Sequence, residues 1–314
     1  MFITNIRLIG IFSDRIRDRG KNVDLSYYPG CTLKTKAKNL ESSAIASMAA
    51  LGINLVELPR WNCCGAAFSL AEDDLVHQLA PVRNLIRVKE QGKDKLVTIC
   101  NFCYNTLKRA DLLTKRDAEK RNTLNSFMEE EVDYNGEAEV VHLLQVLKDE
   151  LGWGSISEKV KVPLQDLKVA PYYGCTLLRP QEVAIDNVER PIILHQLLQA
   201  LGAEAVDFPF ATECCGSFQA IGNPDFALEC AWNILSSALR RGAEALTLSC
   251  PLCDFNLGHR QSELMRKYSE FKGIPIIYFP QLLALSLGLD PEVCHFELNF
   301  GNPYLLLQRK GLLP

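Results

Sequence analysis

Ten of the chain's twelve cysteines fall into two copies of one five-cysteine pattern. The first copy is Cys31, then Cys63-Cys64-Gly65, then Cys100 and Cys103. The second is Cys175, then Cys214-Cys215-Gly216, then Cys250 and Cys253. Rare residues that recur at an offset of about 150 positions mark an internal duplication. Any fold for this chain has to bring three separate segments of each half to a common point.

The repeat extends past the cysteines. Tyr27-Tyr28-Pro29-Gly30-Cys31-Thr32-Leu33 answers Tyr172-Tyr173-Gly174-Cys175-Thr176-Leu177, an alignment that pairs the Tyr-Tyr steps and leaves Pro29 as the extra residue. An apolar stretch with a proline precedes each double cysteine, Leu55 to Pro59 and Val206 to Pro209, and a small residue and an aromatic follow, Ala67-Phe68 and Ser217-Phe218. The last cysteines sit in Leu96-Val97-Thr98-Ile99-Cys100-Asn101-Phe102-Cys103 and Leu246-Thr247-Leu248-Ser249-Cys250-Pro251-Leu252-Cys253. Each copy closes on a leucine-rich helix, His142 to Gly152 and Phe279 to Gly288.

Five cysteines per half point to a cluster of metals. A structural zinc takes four ligands, commonly as two C-x-x-C pairs, and adjacent cysteines diverge too much to serve one tetrahedral ion comfortably. An iron–sulfur cluster presents several metals a few ångströms apart, so adjacent thiolates can bind different irons and a fifth can bridge two. Glycine after the pair lets the backbone pass close to the inorganic core. Iron–sulfur chemistry at both sites is the main reading, with zinc at one site and disulfides as alternatives. Disulfides suit an exported chain, and nothing here reads as an export signal.

Each half alternates strand and helix. Leu25 to Tyr28, Leu55 to Leu58 and Leu96 to Ile99 are apolar runs of strand length, separated by helical patterns at Leu40 to Leu51 and Asp73 to Gly92. This predicts an α/β fold of two tandem, pseudo-symmetric domains, 22–153 and 165–290, each a small sheet with packed helices. The cysteines then follow strands or start helices, at the carboxyl edge where open α/β sheets bind ligands. The charged segment Leu112 to Glu139 is expected as a surface helix or insertion without a useful apolar face. The stretch Trp153 to Lys168 reads as the linker.

Composition narrows the function. The 314 residues are 47% apolar, enough for two ordinary cores. A net charge of −4 with interleaved signs argues against a nucleic-acid surface. No apolar run is long enough for a membrane span, and Met1 to Gly20 is interrupted by charge, reading as an amphipathic docking helix or a loose extension rather than a signal peptide. The expected location is cytoplasmic.

The spacing C-x31-C-C-G-x34-C-x-x-C and its second copy resemble the cysteine-rich CCG domain, and the paired form resembles the B subunit of heterodisulfide reductase. The resemblance runs from about Tyr27 to Gly288 and includes Cys100-Asn101-Phe102-Cys103-Tyr104-Asn105-Thr106-Leu107 and His142-Leu143-Leu144. It implies a noncubane [4Fe-4S] centre on Cys31, Cys63, Cys64, Cys100 and Cys103, and another on Cys175, Cys214, Cys215, Cys250 and Cys253. It implies reductive cleavage of a small-molecule disulfide, the coenzyme M–coenzyme B heterodisulfide in methanogenesis. Methanogen members often carry histidine where this chain has Thr176. The gap from Cys215 to Cys250 is also one residue shorter than its counterpart. The implied partners are a small, C-like iron–sulfur subunit and a flavoprotein, A-like complex, since no nucleotide or flavin fingerprint appears here. Two other roles fit the same resemblance: a sulfur-oxidising complex running the chemistry in reverse, and a noncatalytic electron-transfer or anchor subunit of a respiratory complex.

Arg179, Lys34, His259 and Arg260 lie near the cysteines in sequence and are candidates to hold an anionic substrate, against the simpler reading as surface charges. Cys230 and Cys294 fall outside the pattern and read as structural. His77 and His195 read as packing residues on amphipathic helices.

Overall fold

The computed structural model of the protein describes residues 23–66 and 75–314. Met1 to Gly20 and the Ala67-Phe68 pair lie outside the described residues. Two four-stranded parallel sheets form the frame. The first contains β1 (Val23–Tyr28), β2 (Ile53–Glu57), β3 (Lys95–Thr98) and β4 (Glu139–His142), in the order β2-β1-β3-β4. The second contains β5 (Lys168–Pro171), β6 (Glu204–Ala205), β7 (Ala245–Leu248) and β8 (Ile276–Tyr278), in the matching order β6-β5-β7-β8. Register in the first sheet pairs Leu25 with Leu55, Tyr27 with Val97 and Val97 with Val141. Helices cover both faces, so the central strands are continuous apolar runs, as parallel sheets require.

The three expected strands per half are present, and each half has a fourth. β4 and β8 are three or four residues long and run straight into the closing helical segments. His142 both ends β4 and caps the turn after it, its Nδ1 accepting from the Leu144 amide at 3.3 Å. The closing segment of the first half is not one regular α-helix: Leu143–Gln145 gives way to a π-helical stretch, Val146–Leu151. Helices Lys38–Ala50 and Leu79–Glu90 fall where the periodicity placed them.

Two expectations need correction. In the charged segment, the helix from Asn101 runs to Arg116, and a second helix, Ala118–Ser126, follows under an Asp117 cap. Leu124, Met128 and Tyr134 there are buried, so the segment does own an apolar face. Its apolar residues are simply sparse among the charges. The stretch 153–168 is no loose linker either. It contains the helix Trp153–Glu158, it buries Ile156, Leu164 and Leu167, and Lys161 and Val162 donate backbone hydrogen bonds to the Ser286 carbonyl. Among the described residues, no helix is long and apolar enough to cross a membrane.

The halves are packed into one another. Helix Lys38–Ala50 of the first lies against helix Phe279–Ser286 of the second. A buried amide network locks this contact. Asn299 Oδ1 accepts from Asn39 Nδ2 at 3.0 Å and from Gln281 Nε2 at 2.8 Å, while Asn299 Nδ2 donates to the Ile276 carbonyl at 2.8 Å. Asn299→Leu strands three buried polar groups at once, and each costs about 1–3 kcal/mol. Anaerobic urea unfolding should therefore show a loss of at least about 2 kcal/mol. A loss below about 0.5 kcal/mol, the range of a neutral surface change, would contradict the role given to this network.

Candidate metal centre

Parallel strands put all their carboxyl ends at one edge, and every patterned cysteine sits there. Cys31 lies in the turn leaving β1, a turn tightened by the amides of Thr35, Lys36 and Ala37, which all donate to the Thr32 carbonyl. Cys63 and Cys64 follow β2. Cys100 is the N-cap of helix Asn101–Arg116, with Cys103 in its first turn. The second half repeats the plan: Cys175 follows β5, Cys214 and Cys215 follow β6, and Cys250 caps the short helix Pro251–Asp254 that carries Cys253.

The side chains converge as the spacing predicted. Sγ to Sγ distances are 3.9 Å for Cys31–Cys63, 3.7 Å for Cys64–Cys103 and 3.4 Å for Cys215–Cys253. Cys175 and Cys214 shift one another's ionisation, as do Cys100 and Cys103, and Cys250 and Cys253. Ser249 Oγ, beside Cys250, donates to Asn101 Oδ1, beside Cys100, across the two halves, so the two sets meet at one place. All twelve cysteines are free.

This donor set fits an iron–sulfur group. Sulfurs meet in pairs, and among the described residues no three or more His, Cys, Asp or Glu side chains close around a single-ion point. Pairs of thiolates from separate segments suit a polynuclear core, whose irons are ligated individually. The backbone leaves room as well. Gly30 has φ +74°, and a Cβ there would come within 2.9 Å of Cys103 Sγ. Gly216 has φ +80°, and its Cβ would meet Ala227 Cα at 2.8 Å. Side chains at either position would push backbone off the thiols.

Neighbouring thiols shift one another's ionisation in opposite directions. The Cys103 and Cys63 thiols hold Cys64 well below the usual range, and those of Cys103 and Cys250 do the same for Cys100. Cys214 is lowered to about 6 by Cys175, and Cys215 is lowered by Cys253. Their neighbours Cys63, Cys103, Cys175 and Cys253 move up. Loading with metal would release whatever protons the thiols carry.

Residues not flagged by the cysteine pattern support the loops. Tyr28 Oη donates to the Asn62 carbonyl at 2.9 Å, just before the first double cysteine, and Tyr172 Oη donates to the Glu213 carbonyl at 2.7 Å, just before the second. Strand register agrees, because Tyr27 pairs with Val97 and Pro171 with Thr247. Tyr28 therefore corresponds to Tyr172, and Pro29 to Tyr173, with no extra residue. This corrects the alignment drawn from the Tyr-Tyr identities. Ser217 Oγ lies 2.8 Å from Cys215 Sγ and donates to the Leu252 carbonyl, and Asn256 Nδ2 donates to the Cys215 carbonyl at 2.9 Å.

The four candidate cations separate. Lys34 is held by Glu41 and Glu57 at 2.8 and 2.6 Å. Arg179 Nη1 donates to the Thr212 carbonyl at 2.9 Å, and Arg260 is buried in a fork with Glu263. His259 is half exposed, with Nε2 3.4 Å from Asp254 Oδ2. His195 does more than pack. Its Nδ1 meets Tyr173 Oη and its Nε2 meets Asp207 Oδ1, each at 2.7 Å. Cys294 is buried against the Gln281 carbonyl, as a structural residue would be. Cys230 is partly buried, on the helix that packs against Gly216.

Comparison with known proteins agrees with this geometry. The model of the CCG cysteine-rich domain matches residues 25–108 and 169–258. The B subunit of the "Ferredoxin/F(420)H(2)-dependent CoB-CoM heterodisulfide reductase" of Methanosarcina acetivorans is 31% identical over 280 residues, covering 88% of this chain and 93% of its own. The "8-methylmenaquinol:fumarate reductase membrane anchor subunit" of Wolinella succinogenes is 32% identical over 271 residues, covering 86% and 94%. A crystal structure of a hypothetical protein from Helicobacter pylori shares the fold, with a TM-score of 0.70 at 14% identity over 95% of this chain, which spans 58% of that longer one. The chain belongs to the CCG cysteine-rich domain family, in the duplicated form represented by the heterodisulfide reductase B subunit.

Proposed function

We propose that each five-cysteine set holds a noncubane [4Fe-4S] centre and that the protein is the disulfide-cleaving component of a larger electron-transfer complex. Cys31, Cys63, Cys64, Cys100 and Cys103 hold one centre, and Cys175, Cys214, Cys215, Cys250 and Cys253 the other. The observation that carries the reading is the Ser249–Asn101 hydrogen bond, which brings Cys250 and Cys100, and with them the two thiol sets, together between the halves. Splitting a disulfide into two thiols takes two electrons and two protons. Each centre, when bound, would supply one electron at a time.

The chain's own groups do the rest. Tyr28 and Tyr172 fix the double-cysteine loops, and the helix that starts at Asn101 directs its amino end, with its partial positive charge, at Cys100. Phe102 and Phe218 pack across the halves with ring centroids 5.4 Å apart, adding an apolar wall that limits water. Electrons come from a small iron–sulfur partner protein within a flavoprotein complex, and the disulfide is of the coenzyme M–coenzyme B type. The same geometry serves a thiol-oxidising direction of flux. A noncatalytic anchor or relay is the second reading, favoured by the Wolinella succinogenes relative, whose name describes a membrane anchor subunit.

Two measurements test this. Anaerobically reconstituted protein should hold about eight irons, and Cys64→Ala and Cys215→Ala should each hold about four, with the surviving centre still reducible. Stoichiometric zinc in place of half the iron would reassign one site as structural. Each variant should also lose disulfide reduction by an artificial one-electron donor at least about 100-fold, because one centre alone cannot complete a two-electron cleavage. Substantial turnover in either variant would sink the paired mechanism. No turnover by the intact, loaded protein with any disulfide tested would favour the relay.

A further inference from the structure

The two halves are duplicates, yet the seam between them is closed on one side and open on the other. On the closed side, the helix after Cys100 is stitched to the loop after Cys175. Asn101 Nδ2 donates to the Tyr173 carbonyl at 3.2 Å, Asn105 Nδ2 to the Thr176 and Arg179 carbonyls at 2.8 and 2.7 Å, and Tyr104 Oη to the Val183 carbonyl at 2.8 Å. Counting from the paired cysteines, the corresponding residues after Cys250 are Pro251, Phe255 and Asp254. Proline and phenylalanine have no side-chain donor, and a carboxylate only accepts. No stitch of this kind can form, and a cavity of about 460 Å³ lies there, between Thr32, Lys36 and Ala37 of the first half and Leu252, Phe255 and His259 of the second.

The open side also carries a proton-handling group that the closed side lacks. The helix after Cys250 widens into a π-turn, Phe255–His259, whereas its counterpart Asn101–Arg116 is regular α-helix. A π-turn brings residue i+5 beside residue i, and such turns recur at functional sites. Here it sets His259 Nε2 3.4 Å from Asp254 Oδ2, and the same oxygen accepts from Tyr278 Oη at 3.0 Å. Asp254 is buried while His259 is half exposed on the cavity wall. Tyr104 and Arg109 occupy the equivalent positions in the first half, so no such dyad exists there.

We propose that one product thiol leaves through this cavity and that His259, oriented by Asp254, protonates it. The inference rests on the disulfide-cleavage reading. Two electrons from an iron–sulfur donor protein break the S–S bond and leave two thiolates. The thiolate on the cavity side takes the proton on His259 Nδ1, the ring nitrogen opposite Asp254, and the other takes a proton from water. Solvent at the mouth restores the imidazolium, and both products leave as neutral thiols. Lys36 across the cavity favours an anionic substituent on the departing thiol.

The titratable groups facing His259 are Asp254, Tyr278 and Lys36, while Glu263 on the following helix is taken by Arg260 at 2.9 Å. The Asp254 bond raises His259 above its ordinary value, against burial, which lowers it. A raised histidine carries its proton below that value and loses it as pH rises through it. With dithiodipropionate as the disulfide and the intact, cluster-loaded protein, kcat/KM should fall on the alkaline side as one group deprotonates. His259→Gln should lower kcat about 100-fold, leave KM within about twofold, keep full iron content and abolish that alkaline limb. A readout independent of turnover is diethyl pyrocarbonate labelling mapped by mass spectrometry. Saturating dithiodipropionate should slow labelling of His259 at least tenfold and leave exposed His295 unaffected.

A His259→Gln enzyme that retains both the rate and the alkaline limb would overturn the proton role. Unchanged His259 labelling, with turnover intact, would overturn the placing of the cavity. Absence of turnover in the intact protein would overturn the disulfide reading and the proton role with it.

Discussion

Parallel strand pairing is the constraint from which the site follows. With β1 flanked by β2 and β3, the segments leaving all three strands emerge at one edge, and the polypeptide needs no special loop to bring their cysteines together. The order repeats in the second sheet, and the two edges face one another closely enough for Ser249, beside Cys250, to bond Asn101, beside Cys100. The tyrosines that steady the double-cysteine loops, the glycines that let the backbone come close to the thiols and the amide network around Asn299 all serve that convergence. Burying so many ionisable thiols is costly unless they are paired with one another or with metal.

Duplication supplied two thiol sets, and divergence made their surroundings unequal. Substituting Pro251 and Phe255 where the first half has Asn101 and Asn105 removes hydrogen-bond donors from one side of the seam. The same stretch acquired the π-turn that joins His259 to Asp254. A symmetric pair of centres would treat both sulfurs of a substrate alike. On the disulfide-cleavage proposal, an asymmetric seam would give one of them a door and a proton, which would suit a mixed disulfide whose two halves differ.

The cysteine plan was legible in the sequence because cysteine is rare and its spacing repeats, and the alternation of strand-length apolar runs with helical patterns gave the α/β class. Other features were hidden for identifiable reasons. β4 and β8 are too short for a periodic signal, and His142 and Tyr278 each end a strand while capping the segment that follows. Aligning Tyr27-Tyr28 with Tyr172-Tyr173 followed residue identity, whereas backbone register and the hydrogen bonds of Tyr28 and Tyr172 follow function. Leu124, Met128 and Tyr134 are masked by the charges around them. The Asp254–His259 pair has a five-residue spacing that α-helical reasoning discards, and only the π-turn makes it a contact. His195 was legible as a helix residue, but not its link to Tyr173 and Asp207, which lie on separate segments.

The central claim is that five thiols from each half enclose a separate four-iron centre and that the two centres meet at the seam. Anomalous diffraction at the iron edge from anaerobically grown crystals of the loaded protein tests it directly. The account predicts two groups of four iron peaks, one against Cys31, Cys63, Cys64, Cys100 and Cys103 and the other against Cys175, Cys214, Cys215, Cys250 and Cys253, lying on either side of the Asn101–Ser249 hydrogen bond. A single group of iron, or iron bound away from either set of thiols, would contradict it.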